Sequence, residues 1–177
     1  MLFPIVCVLM VGTLLLLVFA SMQPPTFRVE RSQTINAEAV NIFPLVNDFH
    51  QWAKWSPFEH LDPKMKKTFS GSAQGFGAIY EWEGNFRAGQ GRAEIVASTE
   101  PTAIELNLIF IKPFKGQNHC KFSFENQGRT TVLSWSMTGK NTFISKIMST
   151  FFDQDIMLGS MFESGLRNIN DYSKTRT

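Results

Sequence analysis

Three patterns of apolar residues succeed one another along the chain. Residues 1–22, MLFPIVCVLMVGTLLLLVFASM, carry no charged side chain and show no period at all. Across residues 26–141 apolar side chains recur at alternate positions, the signature of strands with one buried face. Across residues 143–172 they recur at three- and four-residue steps, the signature of an amphipathic helix.

Within the alternating region TFRVERSQTI reads as a first strand, with Phe27, Val29 and Ile35 on one face. Asn36 stands where a helix cap is expected. In the following AEAVNIFPLVND, Ala39, Val40, Phe43 and Val46 have helical spacing broken by Pro44. The helical region is therefore expected as short pieces, the last carrying Trp52 and Trp55 and ending before Pro57. KKTFSGSAQ, GAIYEWEGN, AGQGRAEIVASTE, TAIELNLIFIKP, NHCKFSFEN and RTTVLSWSMTGKN then read as further strands, separated by turns such as Gly75-Phe76-Gly77 and Gln127-Gly128-Arg129. Consecutive hairpins imply an antiparallel meander.

One parity class collects Tyr80, Trp82, Ala93, Ile95, Ala97, Leu106, Leu108, Phe110, Cys120, Phe122, Phe124, Leu133, Trp135 and Met137. The other holds Glu81, Glu83, Arg92, Glu94, Glu105, Lys121 and Glu125, so one sheet face is apolar and the other wet. The final helix carries Ile144, Met148, Phe151, Leu158, Phe162 and Ile169 on one stripe and is expected to cover the apolar face. A single helix does not fill the concavity of so wide a sheet, and a cavity is expected.

The N-terminal run has the length of a bilayer span, about twenty residues. No basic residue precedes it and Val18-Phe19-Ala20 is only a passable cleavage site, so the expectation is a retained transmembrane anchor and a single-pass membrane protein. Arg28 and Arg31 after the span weakly favour the cytoplasmic face. Residues 23–26, with Pro24-Pro25, form a short tether, and residues 27–177 the domain.

Composition changes this picture little. A formal net charge of +2, with dispersed Lys and Arg, argues against a nucleic-acid partner. Seventeen Phe, four Trp and two Tyr suit a large aromatic interior. Cys7 and Cys120 are placed for neither a disulfide nor a metal site.

The stretches WSPF...DP, GxGAxYEWEGN, FIKPF, TxVxWxMxG and FExGL resemble the bacterial SRPBCC branch of the START-like helix-grip superfamily, often described as polyketide cyclase/dehydrase and lipid transport. The resemblance covers nearly all of residues 27–169. It implies an α+β fold in which a curved seven-stranded antiparallel sheet wraps a long C-terminal helix, with two short helices after the first strand. Its functional implication is loose, because the scaffold hosts carriers, sensors and enzymes.

His50, Glu59, His60 and Asp62 have no strong metal-ligand spacing and surround a turn, with Glu59, His60 and Asp62 expected at a cavity rim. Ser56 lacks a nucleophile elbow. Lys64, Lys66 and Lys67, with Lys112 and Lys115, read as solvated surface or a contact for anionic head groups. Asp155 and Arg31 stand on otherwise apolar faces, where a charge must be paired, used or edged toward solvent. Gly159 either makes room for a ligand or allows close packing on the sheet. The expected ligand-binding residues are Trp52, Trp55, Tyr80, Trp82, Leu108, Phe110, Phe122, Trp135, Met137, Phe151, Asp155, Gly159 and Phe162, with no metal or cofactor. The reading is membrane-anchored binding of a hydrophobic small molecule or lipid. The alternatives are a cyclase/dehydrase-type enzyme acting on a polyketide-like substrate, with Asp155 or His60 as weak acid-base candidates, and a regulatory module with a collapsed cavity.

Overall fold

The computed structural model describes residues 2–142, 145–147 and 153–175; some side chains of the first helix, and that of Gln154, lie outside this description. Ile144, Met148 and Phe151 likewise lie outside the described residues.

Alternation along the chain produces β1 (Thr26–Ile35), β2 (Lys66–Gly71), β3 (Ala78–Glu83), β4 (Gln90–Thr99), β5 (Ala103–Lys112), β6 (Gly116–Gln127) and β7 (Thr130–Lys140). They form one seven-stranded sheet in the order β1-β7-β6-β5-β4-β3-β2. The meander from β2 to β7 is as expected, and β1 returns to pair antiparallel with β7, from Thr26 opposite Lys140 to Ile35 opposite Thr131. The predicted apolar face is the buried one: Tyr80, Ala93, Ile95, Leu106, Leu108, Cys120, Phe122, Phe124, Leu133, Trp135 and Met137 are all buried. Ala97 departs from the expectation and is exposed. Ile95 pairs with Leu106 and Ala97 with Glu105, so Val96 is an extra residue that shifts the register and reverses the facing beyond it.

Between β1 and β2 lie α2 (Ala39–Asn47) and two 3-10 helices, Phe49–Lys54 and Pro57–His60; α1 is Leu2–Met22. Asn36 does not cap α2: the cap position falls on Glu38, whose side chain makes no capping bond, and Asn36 instead donates its backbone N–H to Asn170 Oδ1 at 3.0 Å. Pro44 sits inside α2 and does not end it, since on the second turn it removes only one ladder bond. The carbonyls at the end of α2 are satisfied by the two tryptophans of WAKW. Trp52 Nε1 donates to Val46 O at 3.0 Å and Trp55 Nε1 to Leu45 O at 2.7 Å. The short helices are thereby pinned to α2 by side chains whose rings also fill the core.

The last helix, α3 (Gln154–Lys174), is shorter than the periodicity implied. Asp153 is extended and caps it, accepting from Asp155 N at 2.8 Å and Ile156 N at 3.3 Å. The helix packs chiefly on β1, at one edge of the sheet, and buries Phe162, Leu166 and Ile169 completely. Gly165 lets it approach closely, since a Cβ there would meet the Trp135 ring at 2.9 Å and Pro57 at 3.2 Å.

The N-terminal expectation requires correction. Crossing a bilayer core takes about twenty consecutive apolar residues. Among the described residues no helix is long and apolar enough to cross a membrane. The single-pass localisation and the anchor are accordingly not upheld.

Candidate functional site

Because α3 leans on the β1 edge, the apolar face toward β3, β4 and β5 is left partly uncovered. A cavity of about 200 Å³ opens there. Its buried walls are Trp52, Tyr80, Leu106, Leu108, Cys120, Phe122, Trp135 and Met137. Nearer solvent it is bounded by Phe58, Leu61 and Met65 from the segment before β2, Arg87 and Ala88 from the β3–β4 hairpin, Trp82, Phe110, and Leu158 of α3.

The aromatic walls are mutually braced. Trp135 stacks on Phe162 with centroids 4.1 Å apart and rings 10° from parallel, and Phe122 lies 4.9 Å from Trp135 on its neighbouring strand. Tyr80 and Trp82 stack at 5.8 Å, and Trp82 meets Phe110 edge to face. Trp82 is held by its indole N–H, which donates to Ala88 O at 3.1 Å. Gly91 on the facing strand makes space for it: a Cβ there would overlap the Trp82 ring.

Among the described residues one carboxylate lines the cavity. Glu59 is 8% exposed. Its Oε1 accepts from the Tyr80 hydroxyl at 2.6 Å, and its Oε2 accepts from Lys67 Nζ. Burial, aided by the bond to Glu59, pushes the Tyr80 phenol above its ordinary range, so Tyr80 stays protonated and donating. The Cys120 thiol is pushed up to about 12 by burial, against a smaller opposing effect of the Trp135 side chain. The Trp135 indole N–H has no oxygen or nitrogen acceptor among the described residues.

Of the expected site residues, the structure brings Trp52, Tyr80, Trp82, Leu108, Phe110, Phe122, Trp135 and Met137 together around this cavity. Trp55 and Phe162 are fully buried behind it, each packed on Trp135. Asp155 and Gly159 stand apart from it, at an ion pair between α3 and β1. Arg31 Nη2 meets Asp155 Oδ2 at 2.7 Å and Nη1 meets Oδ1 at 3.0 Å, while Nε donates to Glu163 Oε1 at 2.9 Å. Nη2 also reaches Asp155 O at 3.0 Å and Nη1 reaches Glu30 O at 2.8 Å, so all the guanidinium N–H groups are used. A Cβ on Gly159 would overlap this guanidinium, so the glycine makes room for Arg31 and not for a ligand. His60 is exposed and does not line the cavity. Asp62 braces the mouth, accepting from Lys64 N at 2.9 Å and Asn85 N at 2.7 Å.

The expected site set lacks Leu106, Cys120 and Leu158, which read only as part of the apolar sheet face and helix stripe, and also Phe58, Leu61, Met65, Arg87 and Ala88, which lie on 3-10 turns and loops without a period. Glu59 was expected at the rim and is instead inside, because the 3-10 helix Pro57–His60 turns it toward Tyr80. Among the described residues no group of His, Cys, Asp and Glu is clustered to hold a metal ion.

An antiparallel sheet gripping a long C-terminal helix, with an aromatic cavity between them, defines the helix-grip class. The chain belongs to the polyketide cyclase/dehydrase and lipid transport family, whose model matches residues 26–173. No curated protein sequence matches it. Among solved structures it is similar to norcoclaurine synthase from Thalictrum flavum in complex with dopamine and hydroxybenzaldehyde, at TM-score 0.65 and 9% identity over 90% of this chain and 92% of that one. It is also similar to the major latex-like protein 151 of Panax ginseng, at TM-score 0.60 and 12% identity over 84% and 98%. A third similar structure is protein Ms6760 of Mycobacterium smegmatis, at TM-score 0.59 and 16% identity over 85% and 92%. At these identities the likeness shows the fold alone.

Proposed function

We propose that this protein binds a small aromatic compound in the cavity between the sheet and α3. The observation that carries the reading is the lining itself: among the described residues seven aromatic side chains, Trp52, Phe58, Tyr80, Trp82, Phe110, Phe122 and Trp135, stand around about 200 Å³. That volume lies below the roughly 300–1,000 Å³ of sites for drug-sized ligands. It is close to that of an apolar cavity of about 150 Å³ that holds benzene. A one-ring ligand therefore suits it better than a lipid. The open volume also speaks against a module packed shut by its own aromatics.

A second reading, an enzyme of the cyclase/dehydrase type, is favoured by one observation: Glu59 is a carboxylate lining the cavity, where an acid-base group would have to stand. Both of its oxygens are already engaged by Tyr80 and Lys67, which suits a fixed recognition group better than a proton shuttle.

Thermal unfolding of the full chain with and without toluene tests the reading. A ligand that binds only the folded state raises the midpoint with concentration, by about 2.7 kcal/mol of stability at a hundred times Kd. The rise should be absent in Leu108→Phe, which places a ring in the cavity. A midpoint indifferent to toluene in both proteins would refute it.

A further inference from the structure

A pocket for hydrocarbon alone has no use for a charge in its wall. Placing a carboxylate away from water costs several kcal/mol unless its lone pairs are occupied. Glu59 nevertheless lines the cavity, with its side chain 5% exposed. Its two partners come from outside the local turn, Tyr80 on β3 and Lys67 on β2. Each carboxylate oxygen has more than one lone pair, so each accepts a further donor. Tyr80 spends its only hydrogen on Glu59, which leaves the phenol oxygen able to accept. The polar spot presented by Glu59 and Tyr80 is thus rich in acceptors.

The charge at that spot is already balanced by Lys67, whose ammonium is partly in solvent. A cationic ligand would have to displace Lys67 or bring unbalanced charge into an apolar cavity, both costly. A neutral donor has neither cost. Of neutral donors on an aromatic ring, a hydroxyl supplies one hydrogen to Glu59 or Tyr80 and also an oxygen. The Trp135 ring lines the same cavity, but its indole N–H is buried beside Cys120, so the Glu59–Tyr80 pair is the polar group that selects the ligand.

The geometry points to a ring-hydroxylated aromatic, a neutral phenol, as the ligand class, with its hydroxyl hydrogen received at the Glu59–Tyr80 pair and its ring held among the aromatic walls. This rests on the reading of the cavity as a binding site. It adds that polarity, and not hydrophobicity alone, selects the ligand.

The test uses the full chain and three probes of one ring: toluene, phenol and methoxybenzene, titrated by calorimetry near neutral pH. Toluene has no oxygen, and methoxybenzene keeps the oxygen but lacks the donor hydrogen. Phenol is expected to bind at least about tenfold more tightly than either, the equivalent of one hydrogen bond to a charged acceptor at about 1.5 kcal/mol or more. Replacing the pair together, Glu59→Leu with Tyr80→Phe, is expected to lower the ratio of phenol to toluene affinity about tenfold. If toluene and methoxybenzene bind the wild-type protein as tightly as phenol, the hydroxyl preference is overturned while the cavity reading stands. That comparison needs no variant and holds even where the double substitution fails to fold. If none of the three binds, the cavity reading itself fails and takes the inference with it.

Discussion

The guanidinium of Arg31 lies against the bare Cα of Gly159, and the two residues determine each other. Arg31 holds Asp155 and Glu163 on α3 from its place on β1, and only a residue without a Cβ leaves room for it to do so.

Alanine is worth about 1 kcal/mol more than glycine inside a helix. At position 159 that gain is expected only after Arg31 has been shortened. Gly159→Ala alone should be destabilising, because the new methyl displaces a guanidinium fixed by its hydrogen bonds. In an Arg31→Ala background the same substitution should stabilise. Urea midpoints of the four proteins check the cycle, and additive effects would count against the contact.

The Arg31 guanidinium holds the Asp155 carboxyl below its usual range, chiefly through their hydrogen bonds and against a smaller opposing effect of burial. A carboxylate whose folded pKa is depressed contributes stability above the unfolded value of about 3.9 and loses it as pH falls through the folded value. The stability gap between wild type and Asp155→Asn should therefore be constant above about pH 5 and close below about pH 4. Both groups touch solvent, so added salt should narrow the gap throughout. A gap that persists unchanged to pH 2.5 would rule this ion pair out as its source.

Leu108→Phe separates a cavity from a packed core. Added volume in a tight interior costs about 1 to 3 kcal/mol. With about 200 Å³ beside Leu108 the loss should stay under about 1 kcal/mol while toluene and phenol binding disappear. A large loss of stability with the ligand retained would mean that the added ring does not enter this space.

Trp55→Phe removes the donor to the carbonyl of Leu45, a buried residue at the end of α2. The expected cost is about 1 to 3 kcal/mol in chemical denaturation. His60→Ala, at an exposed position off the cavity, should change stability by no more than about 0.5 kcal/mol and leave ligand affinity as it was. A stable Trp55→Phe would show that the indole bond carries little.

By itself the sequence determined the strands, their apolar face and the presence of a covering helix, because period-two and period-3.6 patterns are local consequences of which side chains must leave water. It also singled out Arg31 and Asp155 as charges in need of an explanation. Only the tertiary structure decided that they explain each other, since β1 and α3 are brought together by closure of β1 on β7 and no local rule pairs residues so far apart in the chain. The same closure leans α3 on the β1 edge, which leaves the cavity over the other strands and moves Gly159 off it. Ala97 escaped the parity rule because one bulged residue inverts every position beyond it, and alternation cannot register an insertion. Glu59 escaped it because a 3-10 turn has no face until something packs on it: its place inside is decided by Tyr80 and Lys67, reached across space from two other strands.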